Sequence, residues 1–189
     1  MSPTKPARAE EAYIVIDIEA SGPNPREYAM LSIGACTMSE PRDTFYVELQ
    51  PDKDAFTVEA MTVSGLSLAR LTDEGVPPAR AMEKFASWLE SAVPEDAIPV
   101  FSAFNAPFDW MFVNDYFHRY LGYNPFGHAA LDIKAYYMGL HGVAWGETTL
   151  RKVSHRHAGQ RELTHHALSD AIDTAEILEA MLAVERTSL

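Results

Sequence analysis

The first half of the chain carries short apolar runs, and the second half carries stripes at helical spacing. Tyr13, Ile14, Val15 and Ile16 form an apolar run that passes into Asp17, Ile18 and Glu19. Strand formers without polar alternation predict a strand buried on both faces. Residues 20–25 are dense in Ser, Gly, Pro and Asn, so the strand ends in a loop. Residues 30–38 and 44–49 predict two further strands with a turn over 40–43, which suggests an antiparallel meander. Thr57 opens a helix that Gly65 breaks, and Pro77 and Pro78 open the next, with Ala81, Phe85, Trp88 and Leu89 as its core stripe. Residues 97–104 predict a fourth strand. A helix then begins near Pro107 and runs to about Leu121, followed by short helices over 131–140 and 148–158. The last element, 167–184, places Leu168, Ala171, Ala175, Leu178 and Leu182 on one face of a long amphipathic helix. Strands first, then helices mixed with strand, predict an α/β fold with one mixed sheet covered by helices.

Asp17 and Glu19 lie two positions apart, so in a strand both side chains point to one face. Either the strand has ended and both acids are solvated, or they are buried together. Burial of unpaired carboxylates costs roughly several kcal/mol unless a cation compensates. A hard divalent metal takes carboxylate oxygens directly. Asp109 falls in the first turn of its predicted helix, where the helix dipole alone accounts for an acid. His165 and Asp170 stand at the entry to the last helix, where a loop histidine and a first-turn acid are equally ordinary.

Composition narrows the class. The 189 residues are 47% hydrophobic and 22% charged, the profile of one globular domain, with residues 1–11 read as a loose arm and 12–186 as the domain. No apolar run is long enough to span a membrane, so no membrane partner is expected. The first residues lack the apolar core of a secretory signal, and the single Cys36 excludes a disulfide framework or a cysteine-rich zinc site; a cytoplasmic location is expected. The net charge of −12 argues against a general nucleic-acid coat but is compatible with an enzyme gripping a short stretch of strand. Against that charge, residues 150–166 form a local basic stretch containing Arg151, Lys152, Arg156 and Arg161, which could attract a phosphate backbone. Phe104, Phe108 and Trp110 could stack on bases or belong to the core.

The order Asp17-Ile18-Glu19, then Asn105-Ala106-Pro107-Phe108-Asp109, then His165 with Asp170 five residues later, resembles the DEDD-type 3′-5′ exonuclease superfamily in its histidine-containing (DEDDh) branch. That branch includes polymerase proofreading subunits and the ribonuclease T and oligoribonuclease groups. The resemblance runs over nearly the whole chain. It implies a ribonuclease-H-like mixed central sheet of about five strands flanked by helices. It also implies that Asp17, Glu19, Asp109 and Asp170 are the catalytic and metal-binding carboxylates, with His165 as general base. Two divalent cations, Mg²⁺ or Mn²⁺, are the implied cofactors, and the 3′ ends of single-stranded DNA or RNA the implied partners. Some members are homodimers; nothing in the sequence tests that here. The five-residue spacing selects His165 over His166, and Asp170 over Asp173.

The match is imperfect near the substrate. Ala20, Ser21 and Gly22 stand where many members carry threonines, Phe104 where many carry histidine, and Ser64 where a histidine is common. Substrate contacts are therefore expected from Ala20, Ser21, Gly22, Asn105 and Phe108, partly through backbone groups. Two alternatives stand beside this reading. One is a polymerase-associated, proofreading-type binding module; the chain ends soon after its last helix, which favours a free-standing enzyme. The other is an aspartate-nucleophile phosphatase, in which the His165–Asp170 spacing has no role.

Overall fold

The opening apolar run becomes β1 (Glu10–Ala20), the central strand of the sheet, in a computed structural model that describes residues 10–159 and 164–187. β2 (Met30–Thr37) and β3 (Thr44–Glu48) follow it as the expected antiparallel meander. β4 (Ala97–Ala103) runs parallel to the other edge of β1, and β5 (Ala130–Asp132) runs parallel to β4. The result is a mixed five-stranded sheet in the order β3-β2-β1-β4-β5. Seven α-helices flank it among the described residues: α1 (Val58–Ser64), α2 (Leu68–Glu74), α3 (Pro78–Ala92), α4 (Pro107–Leu121), α5 (Ile133–His141), α6 (Leu150–His157) and α7 (Ala167–Thr187). None is long and apolar enough to cross a membrane.

Local chemistry sets most boundaries. The Thr57 hydroxyl accepts from the Ala60 N–H at the start of α1, and Gly65 closes that helix in the left-handed region at φ 64°. Pro107 opens α4, where its missing N–H costs nothing. β1 begins two residues before the expected domain start at 12, because Glu10 and Glu11 pair with Ala97 and Ile98; residues 1–9 of the expected arm lie outside the described residues. The single helix expected over 131–140 is a strand and then a helix. Ala130 and Leu131 pair with β4, and the Asp132 carboxylate caps the N–H groups of Lys134 and Ala135, so the helix starts at Ile133. α2 is capped by Ser67 and buries only Leu71, too narrow a stripe to read in advance.

The two faces of β1 carry separate cores. Ile14, Ile16 and Ile18 join Phe85, Phe112 and Phe117 of α3 and α4. Val15 joins Ile133, Tyr137, Val153 and Leu178 of α5, α6 and α7. Side chains alternate along a strand, so Asp17 and Glu19 share the face of Val15, towards α7. α7 itself is covered over a wider arc than one stripe. Ile177 and Met181 are buried with Ala171, Ala175 and Leu178, while Leu168 and Leu182 are only half-buried.

Candidate active site

The pairing of β1 with β4 stops at Val15 opposite Ser102, so the last residues of β1 project beyond that neighbour. The first turn of α4 fills the space. The Ile18 N–H, which has no strand partner on this edge, donates to Asp109 Oδ1 at 3.1 Å. Asp109 is thus held by a backbone bond to the residue between Asp17 and Glu19.

From the other side the site is closed by α7. Gly34 of β2 lies directly opposite Asp17 in register, and a Cβ there would overlap the backbone of Ala167 and Leu168. The missing side chain lets the N-terminus of α7 rest on the sheet beside Asp17. Asp170, one turn into α7 and buried, reaches back to the preceding loop. Its Oδ1 accepts from the Thr164 N–H (2.8 Å) and hydroxyl (2.9 Å), and its Oδ2 accepts from the His165 N–H (2.9 Å). His165 adopts a left-handed backbone at φ 56°, a conformation that this anchoring holds in place. Glu19, His165 and Asp170 each present a ligating atom within 4.8 Å of the others.

All five residues line one cleft of about 500 Å³, with Thr57, Glu59 and Val63 on its α1 wall and Leu150 on its α6 wall. Neither lysine nor arginine is among the described residues that line it. The electrostatic consequence is large. Burial, then Asp109, Glu19 and Asp170, raise the Asp17 carboxyl well above the usual range. Burial and then Asp170 push Glu19 up to about 7. Burial pushes Asp109 up to about 8, against the lowering effect of the Ile18 N–H. Charge of one sign concentrated without a protein cation is what a hard, oxygen-preferring divalent ion would neutralise, so the donor set fits a metal. A cavity of about 800 Å³ also opens at the opposite end of β1, lined by residues including Tyr13, Leu182 and Glu179. It is the larger space, but Glu179 is engaged by Arg42 at 2.8 Å, and no cluster of metal-ligating groups lies there among the described residues.

The other expected contacts divide. Ala20, Gly22, Asn105 and Phe108 line the cleft, as does Phe104. Ser21 does not: it is fully buried, its hydroxyl donating to the Ala55 carbonyl and accepting from the Ala29 N–H, which braces the loop after β1. Gly22 also leaves room for the Tyr28 ring, which a Cβ would overlap. Trp110 packs edge-on against Phe101 at 5.1 Å and belongs to the core. His166 stacks on Tyr46 at 4.6 Å, apart from the ligating cluster. Arg161 of the basic stretch lies outside the described residues. Two residues that position the site escape sequence reasoning. Gly34 is an unremarked glycine in an apolar strand, and Thr164 is a loop threonine whose only signal is its place beside His165.

Comparison with known proteins agrees with this geometry. The profile of the RNase T family, described as Exonuclease, matches residues 14–178. The 3'-5' DNA exonuclease Cap18 of Escherichia coli is 45% identical over 168 residues, covering 89% of this chain and 90% of that protein. Among solved structures, the nuclease domain of 3'hExo, a DEDDh family member bound to rAMP, aligns with TM-score 0.76 at 18% identity over 92% of both chains. E. coli Exonuclease I in complex with a dT13 oligonucleotide aligns with TM-score 0.69 at 17% identity, over 92% of this chain and 41% of that one. These two likenesses show the fold. Exonucleases of the family use divalent metal ions, and the phosphatase alternative has no support in any of these matches. A family profile matched over most of the chain, and a relative 45% identical over 168 residues, make this protein a member of the RNase T family of exonucleases and a 3′-5′ exonuclease.

Proposed function

We propose that the protein removes nucleoside monophosphates one at a time from the 3′ end of single-stranded DNA. The observation that carries this reading is the convergence of Asp17, Glu19, Asp109 and Asp170 with His165 on one cleft that no lysine or arginine lines among the described residues. DNA is favoured because the relative at 45% identity is a DNA exonuclease. The activity is assigned to a single domain over residues 12–186.

Asp17, Glu19, Asp109 and Asp170 would hold two divalent cations, Mg²⁺ or Mn²⁺. When bound, these supply the positive charge that stabilises the attacking and leaving oxygens of an anionic phosphodiester. His165 takes the proton from the attacking water through the lone pair of an unprotonated imidazole nitrogen. The water oxygen joins phosphorus, the P–O3′ bond breaks, the departing O3′ takes a proton from solvent, and His165 releases to solvent the one it accepted. The products are a 5′-monophosphate and a strand one nucleotide shorter with a free 3′ hydroxyl. Asp170 also positions the base, because its bonds to Thr164 and His165 fix the loop that carries the imidazole. Phe104, Asn105 and Phe108 form the wall on which the terminal nucleotide would rest.

The test uses 5′-labelled single-stranded DNA and RNA with Mg²⁺, and again with a chelator. A descending ladder on DNA, weaker on RNA and abolished by chelation, is expected. Equal ladders on both polymers would remove the DNA assignment, and a ladder that survives chelation would remove the metal-dependent one.

A further inference from the structure

The cleft explains hydrolysis at a 3′ end, but it does not explain how an acidic protein keeps hold of a polyanion. Its volume, about 500 Å³, suits a terminal nucleotide rather than a length of strand, and the described residues that line it include no lysine or arginine. The net charge of −12 opposes the approach of more phosphates. Cations elsewhere are mostly neutralised in place: Arg42 by Glu179, Lys53 and Arg119 by Asp52, Arg70 by Glu48, and Arg80 by Glu83. Among the described residues, Arg26, Lys84, Lys134, Arg151 and Arg156 take part in no salt bridge. Three of these five stand together on α5 and α6.

α6 is two-sided. Val153 and Ser154 are buried, while Arg151, Lys152, His155 and Arg156 are exposed on the outer face. Those four line a polar cavity of about 600 Å³ with Glu147, whose carboxylate is taken up by Lys152 at 2.7 Å. The helix carries no acid. Its first residue, Leu150, lines the carboxylate cleft, so the basic face begins beside the reacting end. The α5 side leads to the same rim. Asp132 caps α5 and pairs with Ala103 at the end of β4, next to Phe104 of the cleft wall, which places the first turn of α5 near the carboxylates. Lys134 in that turn lies 4.3 Å from the centre of the Trp145 ring, and Trp145 remains 51% exposed in the short 3₁₀ turn that precedes α6. A half-exposed aromatic ring with one cation against it and further cations on the next helix is an arrangement by which proteins hold single strands without reading sequence: the open part of the ring stacks on a base and the cations meet phosphates.

We propose that Trp145, Lys134 and the outer face of α6, led by Arg151, form a second nucleic-acid subsite that holds the single strand upstream of the 3′ end lying in the cleft. The proposal rests on the exonuclease reading of that cleft and adds to it a length dependence: oligonucleotides long enough to reach Trp145 and α6 bind more tightly than short ones.

The experiment compares three substrates with Mg²⁺: the p-nitrophenyl ester of thymidine 5′-phosphate, a DNA trimer and a DNA strand of about 20 nucleotides. Trp145→Ala is expected to raise KM for the long strand about tenfold while kcat, trimer cleavage and ester hydrolysis stay as in the wild type. Trp145→Phe should restore most of the loss. Arg151→Gln should raise the long-strand KM similarly and make its dependence on log[salt] shallower by about one unit, and Arg151→Lys should restore it. An unchanged long-strand KM in both Trp145→Ala and Arg151→Gln overturns the proposal, as does a rise shared equally by the trimer. Should Trp145→Ala lose ester hydrolysis through damage to the fold, Arg151→Gln alone decides. Wild-type protein that cleaves none of the three substrates overturns the reading of the cleft itself, a result distinct from failure of the upstream subsite.

Discussion

Asp109 shows how a single side chain serves the fold and the site in opposite senses. Its Oδ1 accepts from the Ile18 N–H, which favours the carboxylate, while burial pushes its pKa up to about 8. Asp109→Asn keeps an oxygen for that bond and removes the charge. The substitution should lower exonuclease activity by about 100-fold or more and weaken Mn²⁺ binding in calorimetric titration. In the metal-free protein at pH 8 the same change should raise the Tm, by about 2–4 °C for each kcal/mol of repulsion relieved. His165 separates the proposed proton transfer from the proposed metal binding. His165→Ala should lower kcat by about 10²–10⁴-fold and leave Mn²⁺ titration close to that of the wild type. A wild-type kcat would dismiss His165 as the base.

Two glycines show what elements require of each other. At Gly34 a methyl group would meet the backbone of Ala167 and Leu168, which cannot yield as a flexible side chain can. Gly34→Ala must therefore lift the start of α7 from the sheet and move Asp170 and the His165 loop with it. Stability should fall by about 1–3 kcal/mol, read from the urea midpoint, and kcat by about 100-fold, since a displacement near 1 Å is enough for that. Gly139 sits within α5 with nothing near the position of its missing Cβ. There the same substitution should stabilise by up to about 1 kcal/mol, because alanine favours a helix, and should leave turnover unchanged. If Gly34→Ala behaved like Gly139→Ala, the close approach of α7 would not be what assembles the site.

For the whole molecule, the clustered carboxylates couple folding to pH and to cations. Glu19 at about 7 and Asp109 at about 8 still hold protons in the native state at pH values where the unfolded chain, with carboxylates near 4, has released them. The native state is then the more protonated one. The stability these groups contribute is complete below about pH 4 and is lost as the pH rises through 7 and 8. Metal-free protein should accordingly melt at lower temperature at pH 8.5 than at pH 6, and millimolar Mg²⁺ should reverse most of that loss, since a ligand that binds only the native state raises its melting temperature. Scanning calorimetry with and without chelator reads both effects. A Tm that rises between pH 6 and 8.5 in chelator would mean that the carboxylates are not crowded in solution.

Periodicity and local chemistry alone made much of this protein legible. The apolar strands, the Thr57 cap, the Pro107 start of α4 and the long last helix are written in neighbouring residues, whose spacing controls which faces are buried. The order of acidic motifs named the family and a candidate set of five residues, which the fold brings to one cleft. Boundaries that depend on a distant partner were not legible: β5 exists because β4 offers an edge, and Glu10 belongs to a strand because Ala97 lies beside it. The role of Ser21 as a buried brace, of Gly34 as the seat of α7 and of Trp145 as an open ring also depends on residues far away in the chain. A sequence records which groups are available and their local spacing; only the packing of one element on another decides which are buried, which are bonded and which still face solvent.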